Sequence, residues 1–407
     1  MVTYNCGCKD VSIAEGIFGE IFTESPEDQI RRYDSEQYYK EELSSYINNN
    51  KLIPVKSYTM INKNHVEITV ISWGATIVSL KYPDKFGHVV DVVLGFDDLE
   101  SYTDPEINPF IGCILGRCAN RIKDGCVVIK DKIYQLTKND CNKHHLHGGI
   151  KGFGRRLWES YIDGCSVVMT YLSKDGEEGY PGAVLSMVRF KLTPDNKLEI
   201  GIRATTTDST IVNISHGSLF NLAGHDAGKK ELMQHKIALN CDRWTFADYT
   251  NPIPTGAIRG VGGTVMDLRI PKFLESCIEK VPPGEGYDHN FCITPNWHGG
   301  TTYVAQAVHP KSGRILEIYS DQPGVQFYTG GRLPSYTTSK KTSDNNTVKY
   351  DEEEYEEETQ REQDVTSENE SPRFILGKRG ARYVKHCAFS IQPQNYPNAI
   401  NHVSNSK

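Results

Sequence analysis

The chain has no long apolar run. Nothing in its 407 residues approaches a membrane span, which needs about 20 consecutive apolar residues. The N-terminus, MVTYNCGCKD, has no apolar core of the kind a secretory signal carries, so neither export nor anchoring is expected. There is no CxxC pair among the eleven cysteines. An odd, scattered set reads as reduced thiols in a cytoplasmic protein, and the C-x-C of Cys6 and Cys8 is too little for a metal site. There is no basic surplus either: 45 Lys and Arg stand against 52 Asp and Glu. No basic face points to nucleic acid, and no basic amphipathic helix points to a membrane surface.

What the chain does have is turn chemistry and alternation. It carries 35 glycines and 19 prolines, with 38% hydrophobic and 10% aromatic residues, which suits a turn-rich β protein. In HVEITVISW, Val66, Ile68 and Val70 share one face and Glu67 and Thr69 the other, the period of a half-buried strand. VVIKDKIYQL reads as a hairpin, and so does VRFKLTPDNKLEIGI around Pro194, Asp195 and Asn196. YVAQAVHPKSGRILEIYS repeats the scheme between Pro310 and Gly313. Many short strands with little helix predict an all-β sandwich or barrel.

Two regions depart from this pattern. Residues 1–55 read as an N-terminal extension, part helical or disordered, with Ser25 as N-cap and Pro26 at the first position of a helix whose ragged stripe is Ile30, Tyr33, Leu43 and Ile47. Residues 334–372 are polar, and 351–370 hold eleven acids and one base, Arg361. That segment alone carries −10, which leaves the remainder near +3 of the total −7. It has too little apolar surface to offset its ordering entropy, so it reads as a disordered acidic insertion in a surface loop, a solvated spacer or a contact for a protein partner.

The polar motifs are individually unspecific. His145 and His147 of HHLHGG would share a strand face, yet no acid or cysteine sits at a ligand-like spacing, so no metal is expected. In order along one chain, however, stand WGATIVSLKYPDKFGHVVDVVLGFDDLESY, GRCANRI, HLHGGIKGFGRRLW, GEEGYPG, IPTGAIRGV, MDLR, GYDHNF, QPGVQFYTGG and QNYPNAIN. This set resembles the aldose 1-epimerase, or galactose mutarotase, family over about residues 58–401. The resemblance implies one large antiparallel β-sandwich over 56–407, interrupted by the insertion. It implies a monomer of hexose metabolism that interconverts the α and β anomers of a free hexose such as galactose or glucose, with no cofactor. In that reaction a glutamate base takes the anomeric proton while a histidine acid protonates the ring oxygen.

Carried over residue by residue, the sugar-holding positions fall on Asn120 and Arg121 of ANRI, His147 of LHGG, Asp288 of DHNF and Gln326 of VQFYTG. The acid and base do not carry over. The family reads Asn-His-Ser-Tyr-Phe-Asn-Leu where this chain has HGSLFNL, so the acid position is Gly217 and His216 stands one residue early. Adjacent side chains of an extended segment point to opposite faces, which aims His216 away from that position. The family reads Glu-Thr-Gln-Asn-Trp-Pro where this chain has QPQNYP, so the base position is Gln392, an amide without a useful proton equilibrium near neutral pH. Three readings follow: a hexose-binding member with little or no turnover; an active epimerase with a relocated pair that includes His216; and an interaction scaffold acting through the acidic insertion. On the first, if these two substitutions are the only defect, Gly217→His together with Gln392→Glu is expected to restore measurable mutarotation.

Overall fold

A computed structural model describes residues 2–4, 10–22, 52–248, 251–296, 299–335 and 374–402. Antiparallel sheets dominate these residues. A six-stranded meander runs in chain order through Val2–Tyr4, Val11–Phe22, Leu52–Asn62, Glu67–Ile71, Thr76–Pro83 and Val89–Asp91. A four-stranded meander follows through Glu159–Asp163, Ser166–Ser173, Val184–Leu192 and Leu198–Thr206. A second four-stranded sheet orders Lys272–Phe273, Lys236–Leu239, Thr302–His309 and Arg314–Ser320. A five-stranded sheet orders Asn251–Gly260, Cys241–Asp248, Asp288–Ile293, Gly324–Tyr328 and Ser390–Gln394. The longest α-helix among the described residues is the six-residue Gly228–Met233.

The sheets share one apolar interior, as a sandwich requires. A single cluster of buried side chains joins Tyr58, Met60 and Ile68 of the first sheet, Val167, Met169 and Val188 of the second, Ile237 and Ala307 of the third, and Phe291, Val325, Phe327 and Ile391 of the fourth. Alternation decides who enters it: Val66, Ile68 and Val70 are all buried, as the period of HVEITVISW predicts. The predicted hairpins form where the turn residues allow them. Cys126–Ile129 pairs with Lys132–Gln135 across Lys130 and Asp131, both at positive φ. Val184–Leu192 pairs with Leu198–Thr206, and Thr302–His309 with Arg314–Ser320. This is the expected all-β, antiparallel architecture.

The expected boundary at residue 55 does not match the sheet. Val11–Phe22 pairs with Leu52–Asn62 from Val11↔Asn62 to Phe22↔Leu52, with one shift between Ile17 and Gly19. Val11 and Ile13 are buried in the common core. The segment is therefore part of the sandwich. Local alternation does not reveal it, because VSIAEGIFGEIF places glycines at 16 and 19 within an otherwise alternating run. The helix expected from Ser25 to Ile47 and nearly all of the acidic stretch 334–372 lie outside the described residues. Eight cysteines are free, but Cys165 is disulfide-bonded, so the reading of all eleven as reduced thiols fails there.

Candidate active site

The five-stranded sheet has two unlike faces, and its register explains both. Asn290 pairs with Gln326, and Gln326 with Gln392; Asp288 pairs with Tyr328, and Tyr328 with Ser390. Directly opposed residues point the same way, and side chains repeat every second position. One face therefore collects Asp288, Asn290, Gln326, Tyr328, Ser390, Gln392 and Gln394. The other carries Phe291, Val325, Phe327 and Ile391 into the core. The first face is a buried polar surface. Five of its side-chain atoms are buried without a hydrogen-bond partner: Nδ2 and Oδ1 of Asn290, Oε1 of Gln326, and Nε2 and Oε1 of Gln394. Buried polar groups are normally paired, so this unpaired cluster marks the face as the candidate site.

Loops add charge to that face. Gln326 Nε2 donates to Asp288 Oδ1 at 2.7 Å. Arg332 Nε and Arg121 Nη1 approach Asp288 Oδ2 at 3.3 and 3.9 Å. Arg121 Nε donates to Asp140 Oδ2 at 2.6 Å, and Arg332 Nη1 stands 3.9 Å from Asp140 Oδ1. Burial alone would raise the Asp288 pKa, but the two guanidiniums and the Gln326 amide outweigh it and hold the carboxyl below its usual value. Asp288 is therefore an anionic acceptor at neutral pH.

Asn120 and His147 form the adjoining edge. His145–Leu146 pairs with Arg121–Ile122, which places the two motifs side by side. Asn120 and His147 both have positive φ, 63° and 51°, uncommon for residues other than glycine and a frequent mark of functional corners. His147 N–H donates to Asn120 O, and Asn120 N–H donates to His147 Nδ1 at 3.1 Å. Accepting at Nδ1 assigns the ring proton to Nε2. Burial, with the Arg121 charge second, pushes the His147 pKa down to about 3. The ring is thus a neutral donor. Phe110 covers it, with ring centroids 5.2 Å apart.

The two positions expected to carry the acid and base lie at this site's border. Gln392 is 9% exposed and donates from Nε2 to Ser390 Oγ at 3.0 Å. Gly217 is fixed by its backbone: its N–H donates to Cys113 O, and its O accepts from Gly112 N–H. A Cβ at Gly217 would lie 2.8 Å from the Phe110 carbonyl oxygen, closer than real Cβ contacts come. His216 Nδ1 accepts from Ser218 N–H at 3.3 Å, and its Nε2 is buried without a partner. Burial lowers its pKa to about 4. Among the described residues no hydrogen bond or ion pair joins His216 to Asp288, Gln326 or Gln392. The neighbouring Ser215 instead sends its Oγ to Pro393 O at 2.8 Å.

The structure thus brings Asn120, Arg121, His147, Asp288, Gln326 and Gln392 together. It adds four residues that motif reading does not single out: Asp140, Asn290, Arg332 and Gln394. Asn290 and Gln394 were within reach, each two positions along a strand from a named residue. Asp140 and Arg332 belong to loops and give no local signal. Among the described residues no group of three or more His, Cys, Asp or Glu is arranged to hold a metal ion.

Fold and site together define an antiparallel β-sandwich with a buried polar site on one sheet face. Residues 56–406 match the family model described as aldose 1-epimerase. The chain is 35% identical over 341 residues to the galactose mutarotase of Bos taurus, covering 84% of this chain and 86% of that one. It is 30% identical over 285 residues to the aldose 1-epimerase of Escherichia coli, covering 69% and 80%. The solved structure of an aldose epimerase homologue from C. elegans superimposes with a TM-score of 0.66 at 27% identity, covering 83% of this chain and 89% of that one. Galactose 1-epimerase from Lactobacillus acidophilus, at 20% identity, shares the fold with a TM-score of 0.64, over 86% of this chain and 90% of that one. The chain belongs to the aldose 1-epimerase family.

Proposed function

We propose that this chain binds a free aldohexose such as galactose or glucose on the polar face and interconverts its anomers slowly or not at all. The observation that carries the reading is the pairing of two amides, Gln326 opposite Gln392, at the place where the family puts its base. Asn120, Arg121, His147, Asp288 and Gln326 supply donors and acceptors for hydroxyl groups. None of them supplies a matched acid and base. Asp288 is a poor base, because arginines hold its pKa low and Gln326 occupies one of its oxygens. His147 and His216, with pKa values pushed down to about 3 and about 4, carry almost no proton to deliver at pH 7. Ring opening needs one proton removed and another supplied, each transfer worth about 10²–10⁴-fold.

Polarimetry of freshly dissolved α-galactose and α-glucose tests this. The optical rotation is expected to relax with protein as it does in buffer, while calorimetry or ligand-observed NMR detects weak binding. An acceleration proportional to protein would overturn the low-turnover reading. His216→Ala would then ask whether that histidine takes part, as the reading of a relocated pair requires.

A further inference from the structure

The charges of the site are layered. Arg121 and Asp140 form the inner pair, with side chains 6% and 10% exposed. Asp288 is 30% exposed, and Arg332 is outermost at 47%. Arg332 is placed by its own loop, where its N–H donates to Tyr328 Oη at 2.9 Å. Its guanidinium contacts with Asp288 and Asp140, at 3.3 and 3.9 Å, are long beside the 2.6 Å bond of Arg121. The four charges cancel, the base position is a neutral amide, and His147 adds none. Close by, Lys385 and Glu285 balance each other at 4.0 Å. The most exposed of the four charges is therefore a cation, Arg332.

We propose that the site selects a monosaccharide bearing an anionic substituent, a carboxylate or a phosphate, which Arg332 meets at the rim while His147, Asn290, Gln326 and Gln394 hold hydroxyls deeper in. This deepens the sugar-binding reading and rests on it. A planar guanidinium suits both anions, since either accepts two parallel N–H bonds from it. Turning outward costs Arg332 its long contacts with Asp288 and Asp140, while Asp288 keeps Gln326 and Arg121 and Asp140 keeps Arg121. A glutamate at position 392 would oppose such a ligand; Gln392 does not.

Calorimetry on the full chain with galactose, galacturonate and galactose 6-phosphate separates the outcomes. At low ionic strength, at least one anionic sugar is expected to bind about tenfold or more tightly than galactose, and which one it is identifies the group. That preference is expected to shrink with added salt and to vanish in Arg332→Gln, with Arg332→Lys retaining part of it. Galactose binding as tightly as both anionic sugars overturns the proposal and leaves the neutral-sugar reading standing. A preference that survives Arg332→Gln overturns it as well. Failure of all three ligands to bind removes the sugar-site reading itself.

Discussion

Asp288 is the residue on which the polar face depends. It accepts from Gln326 and neutralises parts of two guanidiniums. Asp288→Ala is expected to weaken hexose binding about tenfold or more, because a charged acceptor is worth about 1.5–3 kcal/mol. Calorimetry that finds the affinity unchanged would remove Asp288 from the binding site. The expected rescue by Gly217→His with Gln392→Glu meets an obstacle that the alignment does not show. A Cβ at Gly217 would come within 2.8 Å of the Phe110 carbonyl, and Phe110 is the residue that packs on His147. Gly217→His is therefore expected to cost about 1–3 kcal/mol of stability and to disturb the corner it was meant to complete. The double variant is expected to regain little mutarotation. A double variant that melts like the parent and turns over galactose would show that the Phe110 turn yields without cost.

At the scale of elements, strand alternation does most of the placing. One register carries Phe291 and Phe327 into the core and Asp288, Asn290 and Gln326 onto the site; a one-residue slip would exchange the two sets. The same logic makes Val11–Phe22 part of the sandwich. It buries Val11 and Ile13 at 5% and 0% exposure and covers the edge of Leu52–Asn62. Removing residues 1–22 is expected to uncover that edge and to forfeit about 1.5–3 kcal/mol for each large apolar side chain lost from the core. The melting temperature should fall by several degrees and aggregation should rise. A truncated chain that stays monomeric and melts at the same temperature would return this segment to the status of an appendage.

Across the whole molecule, buried histidines set a pH limit. Burial lowers the pKa of His147 to about 3 and those of His216 and His235 to about 4, whereas an unfolded histidine titrates near 6.5. Between those values the unfolded chain binds more protons than the folded one, so stability falls as pH falls. The loss begins below about pH 6.5 and grows by up to about 1.4 kcal/mol per pH unit for each ring. Thermal melts between pH 8 and pH 4.5 are expected to be level at the upper end and to drop steadily below about 6. A level profile down to 4.5 would mean that these rings take up protons within the fold.

The sequence by itself determined the fold class, the three hairpins and the positions of the family's motifs, because each follows from an order of residues along the chain. Alternation puts Ile68 and Val70 inside, and ordered motifs locate Asn120, Arg121, His147, Asp288 and Gln326. It also located the two substitutions, Gly217 and Gln392, since these are matters of identity at a position. Only the tertiary structure decided what surrounds them. That Val11–Phe22 completes a sheet depends on a partner strand beginning at Leu52, beyond any local window. That Arg332 and Asp140 join Arg121 and Asp288 depends on loops brought together by three different parts of the chain. That Gly217 has no room for a side chain depends on a carbonyl more than a hundred residues away, at Phe110. Side-chain identity is written in the sequence, whereas distance, burial and the charge of a neighbour arise only when separate segments pack.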